Sequence, residues 1–124
     1  MQSSISKPKI ELKQRAYLFA LGIIKFIDLL DKKDFAVQIL VKQLLRSATS
    51  IGANVIEAQA GSTRKDFTNF FSYALKSANE TKFWLGLLRD SKKADHNSVN
   101  LLLQETTELA NILASSILTL KGKR

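Results

Sequence analysis

The stretch Arg46-Ser47-Ala48-Thr49-Ser50-Ile51-Gly52-Ala53-Asn54-Val55-Ile56-Glu57-Ala58 decides how the rest of the chain is read. Val41, Leu44, Ala48, Ile51, Val55 and Ala58 recur every three or four positions, the rhythm of a helix that buries one apolar stripe. Gln43, Ser47, Ser50, Asn54 and Glu57 keep the same rhythm one position away, so they line a face beside the core instead of the opposite, solvated one. Polar groups so placed need partners. The pattern therefore predicts a hydrogen-bonded seam, a subunit contact or a site.

Upstream, Leu12, Ala16, Phe19, Ile23, Ile27 and Leu30 form a first helical stripe, widened by Leu18, Leu21 and Ile24. A helix apolar over so much of its circumference must be covered on two sides. Asp31-Lys32-Lys33-Asp34 reads as the turn before the second helix, with Asp34 its N-cap. The second helix ends near Ala60, with Gly61 at a C-cap position expected to need positive φ, and Ser62 or Thr63 caps the third. Gly52 lies inside the second helix and, with Ala48 and Ala53, offers a small-residue surface for close helix approach.

Phe67, Phe71, Ala74, Ala78, Leu85 and Leu88 mark the third helix, with Phe70, Tyr73, Phe83 and Trp84 making it aromatic-rich. Bases stack on such rings in some nucleic-acid-binding proteins, but helical spacing favours packing here. A loop over residues 92–97 then leads to a fourth helix capped by Asn97 or Ser98, carrying Leu102, Leu109, Leu113, Ile117 and Leu120. The expected architecture is all-α: an antiparallel up-and-down four-helix bundle in a single domain, 1–124. It has a basic N-terminal arm (1–9) and a basic tail (121–124), and the excess apolar surface on the first and third helices predicts a homo-oligomer.

The composition narrows the chemistry. There is no Cys, hence no disulfide or thiolate site, and the single His96 falls in a predicted loop. That leaves no His-based triad and no Glu-x-x-His metal pair within one protomer, and no glycine-rich phosphate loop is present. No cofactor or metal is expected. Glu57 and Glu80 sit in helices among small and apolar residues, where a paired acid could move protons. Arg46, Lys82 and Arg89 on the same helices favour a structural role for them instead.

No apolar run approaches the ~18 residues of a membrane span and the N-terminus lacks a secretory pattern, which points to a cytoplasmic protein and no membrane partner. The formal charge is +8, from 19 Lys and Arg against 11 Asp and Glu. Such an excess either attracts a polyanion or serves solubility. As phosphate contacts the sequence offers Lys7, Lys9, Lys13, Arg15, Lys92, Lys93, Lys121, Lys123 and Arg124.

Three segments carry a family resemblance: Arg46 to Ala58 as quoted, Arg64-Lys65-Asp66-Phe67, and Ala74-Leu75-Lys76-Ser77-Ala78-Asn79-Glu80-Thr81. From about Leu12 onward the chain resembles the bacterial four helix bundle proteins encoded in intervening sequences of large-subunit ribosomal RNA genes. The resemblance implies a ring-shaped homopentamer. It also implies kinship with the accessory variability protein of diversity-generating retroelements, a basic pentamer that binds nucleic acid and a reverse transcriptase; this chain carries no reverse transcriptase domain. By motif, Arg46, Ser50, Asn54, Glu57, Asn79 and Glu80 are then bundle and interface determinants, a structural polar seam.

The functional expectation is a non-enzymatic, ring-forming protein that binds structured RNA or RNA/DNA. The alternatives are a scaffold for a protein partner, and an enzyme built on Glu57 and Glu80.

Overall fold

The computed structural model describes residues 11–122. Four helices account for nearly all of them: α1 (Leu12–Asp28), α2 (Phe35–Ala60), α3 (Arg64–Asp90) and α4 (His96–Leu120). Each helix packs on its neighbour in sequence and α4 closes back on α1, with no close backbone approach across the diagonals among the described residues. Short connections force antiparallel neighbours, so the bundle runs up, down, up, down. The borders are unequal. α2 and α3 meet most extensively, and α1 and α4 least.

One core runs the length of the bundle. Ile23, Leu44, Ile51, Leu85, Leu88, Leu109 and Leu113 are fully buried in it, each by the three-four periodicity that placed it on the inner stripe. Phe26 joins the core, while Ile27 is only partly buried. Leu18, Leu21 and Ile24 remain largely exposed, so the wider half of the α1 stripe lies outside the core of one chain. Where α1 meets α2 the backbones are close: a Cβ built on Gly52 would lie 3.5 Å from the Ala16 Cβ.

The helix ends show which local signals decide. Asp34 caps α2 by accepting from the Val37 N–H at 3.1 Å, and Thr63 caps α3 by accepting from the Asp66 N–H at 3.0 Å. The start of α4 differs from the expected one. Asp95 is its cap, because its carboxylate accepts from both the N–H (2.9 Å) and the hydroxyl (2.8 Å) of Ser98, and the helix begins at His96.

Gly61 also departs from expectation, with φ −69°. Space is tight there: a Cβ would come within 3.2 Å of the Asp66 Cβ and 3.3 Å of the Ala58 carbonyl oxygen, so these neighbours would have to give by a few tenths of an ångström. Positive φ occurs at Lys92 (62°) and Gly122 (71°). At Lys92 the N–H bonds to the Arg89 carbonyl and the Lys93 N–H to the Leu88 carbonyl, both at 3.0 Å, the paired closure of a Schellman motif.

Replacing Gly52 with Ala is expected to raise stability by about 0.5–1 kcal/mol, because a glycine inside a helix costs about that much relative to Ala and the contact with Ala16 is of ordinary length. Gly61→Ala is expected to lower stability, because neighbouring backbone must move. Urea midpoints of the two variants check both signs.

Candidate nucleic-acid interface

The polar seam lies between α2 and α3. Thr81 Oγ1 lies 2.9 Å from Ser47 Oγ and 2.8 Å from the Ser77 carbonyl, to which it donates. Ser47 Oγ reaches the Leu44 carbonyl at 3.2 Å, and Ser47 and Thr81 are both fully buried. One turn along, Ser77 Oγ lies 3.1 Å from Ser50 Oγ, and Asn54 Nδ2 donates to the Ser50 carbonyl (2.9 Å) and hydroxyl (3.1 Å). At the rim Arg46 pairs with Glu80 and donates to Gln43, while Trp84 Nε1 donates to Glu80 at 3.0 Å.

Glu57 and Asn79 take no part in this seam. Both are exposed and neither side chain makes a hydrogen bond among the described residues. The pairing of Ser47 with Thr81 and Ser50 with Ser77 puts Glu57 opposite the region of Phe70. That is ten residues from Glu80, or about 15 Å along a helix. The two acids are therefore not a buried pair. Ser77, Thr81 and Trp84 belong to the network and were missing from the sequence-based set, although Thr81 falls on the stripe of Ala74, Ala78 and Leu85.

The candidate phosphate contacts divide. Lys7, Lys9, Lys123 and Arg124 lie outside the described residues. Lys13, Lys92 and Lys121 are exposed and make no ion pair among the described residues. Arg15 is engaged, its Nε donating to Glu105 at 2.7 Å and its Nη2 to Glu105 at 3.1 Å and to Glu108. Those carboxylates hold the guanidinium above its ordinary pKa, with the Glu105 hydrogen bond the main cause. Arg15 is thus a clasp between α1 and α4. Lys93 is likewise paired, its Nζ 2.6 Å from Asp34. The hydrogen bond from Lys93, followed by that from the Val37 N–H, holds the Asp34 carboxyl below the usual range. Neither cation was expected to be occupied, because the partners lie 59 residues away or more.

Topology sorts the remaining charge. The starts of α1 and α3 and the ends of α2 and α4 share one end of the bundle. There stand Lys13, Arg64, Lys65 and Lys121. The acids at that end are Glu11, Glu57 and Asp66. At the other end stand Lys25, Lys32, Lys33, Arg89, Lys92 and Lys93 with Asp28, Asp31, Asp34, Asp90 and Asp95, so among the described residues both ends are close to balance. Arg64 and Lys65, absent from the sequence-based candidates, are exposed and make no ion pair among the described residues. No group of His, Asp and Glu suited to a metal occurs among the described residues, and no described helix is long and apolar enough to cross a membrane.

Comparisons with known proteins agree with this architecture. Residues 8–115 match the family model described as 23S rRNA-intervening sequence protein. Among solved structures, the chain is similar to the crystal structure of a protein of unknown function from the S23 ribosomal protein family of Bacteroides thetaiotaomicron VPI-5482. The TM-score is 0.80 at 37% identity, covering 86% of this chain and 98% of that one. No curated protein matches.

The Lys93–Asp34 pair gives a signed pH dependence. A carboxyl whose folded pKa is depressed adds stability above its unfolded value, near 3.9 for Asp, and loses it as pH falls through the lower folded value. Asn also caps helices well, so Asp34→Asn isolates the charge. The variant is expected to be less stable than the parent at pH 6, with the gap closing below about pH 4; thermal melts across that range check it.

Proposed function

The chain belongs to the 23S rRNA-intervening sequence protein family, and from that premise we propose that it is a non-enzymatic, basic homo-oligomer that binds nucleic acid, structured RNA or RNA/DNA, through phosphate contacts. The observation that carries the reading is the formal charge of +8 on 124 residues, with Lys13, Lys25, Lys42, Arg64, Lys65, Lys76, Lys82 and Lys121 free of ion pairs among the described residues. A protein that needed charge only for solubility would be served as well by acids. An excess of unpaired cations is instead the electrostatic footprint of a polyanion partner.

Self-association is supported by apolar surface that one chain leaves uncovered. Tyr17, Leu21 and Ile24 on α1 and Ile56 on α2 flank an apolar groove floored by Ala16, Ala20, Gly52 and Ala53. Contiguous surface of this kind marks an interaction site, and a second copy of the chain is the proposed occupant, closing into a ring such as a pentamer. Repeating +8 around a ring would strengthen the field that a polyanion meets.

Labelled structured RNA is expected to be retained at low ionic strength, with log affinity falling linearly against log salt concentration. No retention, or retention insensitive to salt, contradicts nucleic-acid binding. Sedimentation is expected to give a multiple of the 13.9 kDa chain mass, and Leu21→Glu with Ile24→Glu is expected to reduce it to the monomer. A parent protein that sediments as a monomer contradicts self-association.

A further inference from the structure

We infer that the α1–α2 groove of one copy receives an apolar ridge on the α2–α3 face of the next, so that copies of the chain meet head to tail. This deepens the self-association reading and rests on it. A contact in which two copies present the same surface closes at two, whereas a ring needs two different surfaces on each chain. The groove flanked by Tyr17, Leu21, Ile24 and Ile56 is one of them.

The ridge consists of Phe35 and Ile39 on α2 with Phe83 and Leu87 on α3, exposed by 75%, 46%, 57% and 39%. The Arg46–Glu80 ion pair marks where α2 and α3 meet at the surface. Ile39 comes seven residues before Arg46, and Leu87 seven after Glu80. Seven residues are two helical turns, and in antiparallel helices these two displacements run in the same direction, so Ile39 and Leu87 stand side by side on that surface. Phe35 extends the patch one turn beyond Ile39, and Phe83 fills the turn between Glu80 and Leu87.

The ridge is held in place before it is buried. Phe83 packs edge-on against Trp84 with ring centroids 5.0 Å apart, and Trp84 is tied through Nε1 to Glu80 at 3.0 Å. A ring so braced loses little freedom on association. The groove has the complementary shape. Its floor of Ala16, Ala20, Gly52 and Ala53 carries nothing larger than a methyl group, and its volume is about 390 Å³. Two grooves set face to face would enclose a void and forfeit contacts; a groove filled by projecting rings does not.

The areas match as well. Large apolar side chains offer about 150–250 Å² each, so the eight residues of groove rim and ridge, half exposed on average, cover roughly 600–1,000 Å². A standard interface buries about 1,200–2,000 Å², rather more than half of it apolar. Ridge and groove therefore supply the apolar centre and leave the polar rim to residues such as Arg46 and Lys13. Leu18, Leu29 and Leu101 are also exposed, but they line clefts between α1 and α4, which are further hollows and not a ridge.

Two full-length, nuclease-treated variants test the pairing: Leu21→Glu with Ile24→Glu in the groove, and Phe35→Glu with Phe83→Glu on the ridge, with circular dichroism showing that both fold. Each alone is expected to sediment at the chain mass of 13.9 kDa, and an equimolar mixture at twice that mass, because each variant supplies the surface the other lacks. One contact lacks the reinforcement of a closed ring, so a disulfide gives a second readout in a chain that has no Cys of its own. Ile39 and Ala53 lie 14 residues apart on α2, about 21 Å along the helix, too far to bond within one chain. Ile39→Cys with Ala53→Cys is expected to link copies on mild oxidation, with neither single substitution doing so.

Full assembly of the ridge variant would overturn the inference while leaving the groove as a contact surface. A mixture that stays monomeric, together with a double Cys variant that stays unlinked, would overturn it too. So would a monomeric Leu101→Glu variant that pairs with the groove variant when the ridge variant does not, which would move the ridge to α4. A parent protein that sediments as a monomer would overturn both this inference and self-association.

Discussion

The rest of the structure depends on the hydrogen bond between the hydroxyls of Ser47 and Thr81, 2.9 Å apart and sealed from solvent between α2 and α3. A buried hydroxyl left unpaired costs about 1–3 kcal/mol, a large part of the stability of a small domain. The Ser50–Ser77 contact repeats the arrangement one turn away. Sliding one helix along the other would unpair both at once. Apolar stripes alone would tolerate such a slip with modest repacking, so the hydroxyls set the register of α2 and α3 while Leu44, Ile51 and Leu85 supply the burial.

That register has consequences at both ends of the pair. It fixes the tight connection through Gly61, where a side chain would crowd Asp66 and the Ala58 carbonyl, and hence where Thr63 begins α3 and where Arg64 and Lys65 emerge. Toward the other end it brings Arg46 to Glu80 and lets Trp84 share that carboxylate. α4 then packs on α3. α1, the shortest helix, attaches to α2 through the Ala16–Gly52 approach and has its least extensive border with α4, where Arg15 clasps Glu105 and Glu108. An ion pair at this degree of exposure adds little stability, so α1 is the least firmly held element.

What was legible in the sequence follows the range of the interactions involved. The apolar stripes of all four helices, and the caps at Asp34 and Thr63, depend on neighbours within a turn and could be read directly. The family and the bundle were legible from the Arg46 to Ala58 and Ala74 to Thr81 segments. Pairings across the bundle were not. Nothing near Arg15 announces Glu105, and nothing near Lys93 announces Asp34, so two apparent phosphate contacts are occupied by acids. Glu57 follows the polar rhythm of α2 yet faces solvent, and the nearest hydroxyls in sequence on α3, those of Thr68 and Ser72, donate to their own helix backbone.

If the α2–α3 seam is the spine and α1 the least anchored helix, native-state hydrogen exchange should show it most directly. The amides of α2 around Ser47 to Val55 and of α3 around Ala74 to Leu85 are expected to exchange last, at the rate of global unfolding, with those of α1 exchanging earlier through a sub-global opening. Protection in α1 equal to or greater than that in α2 and α3 would contradict the account.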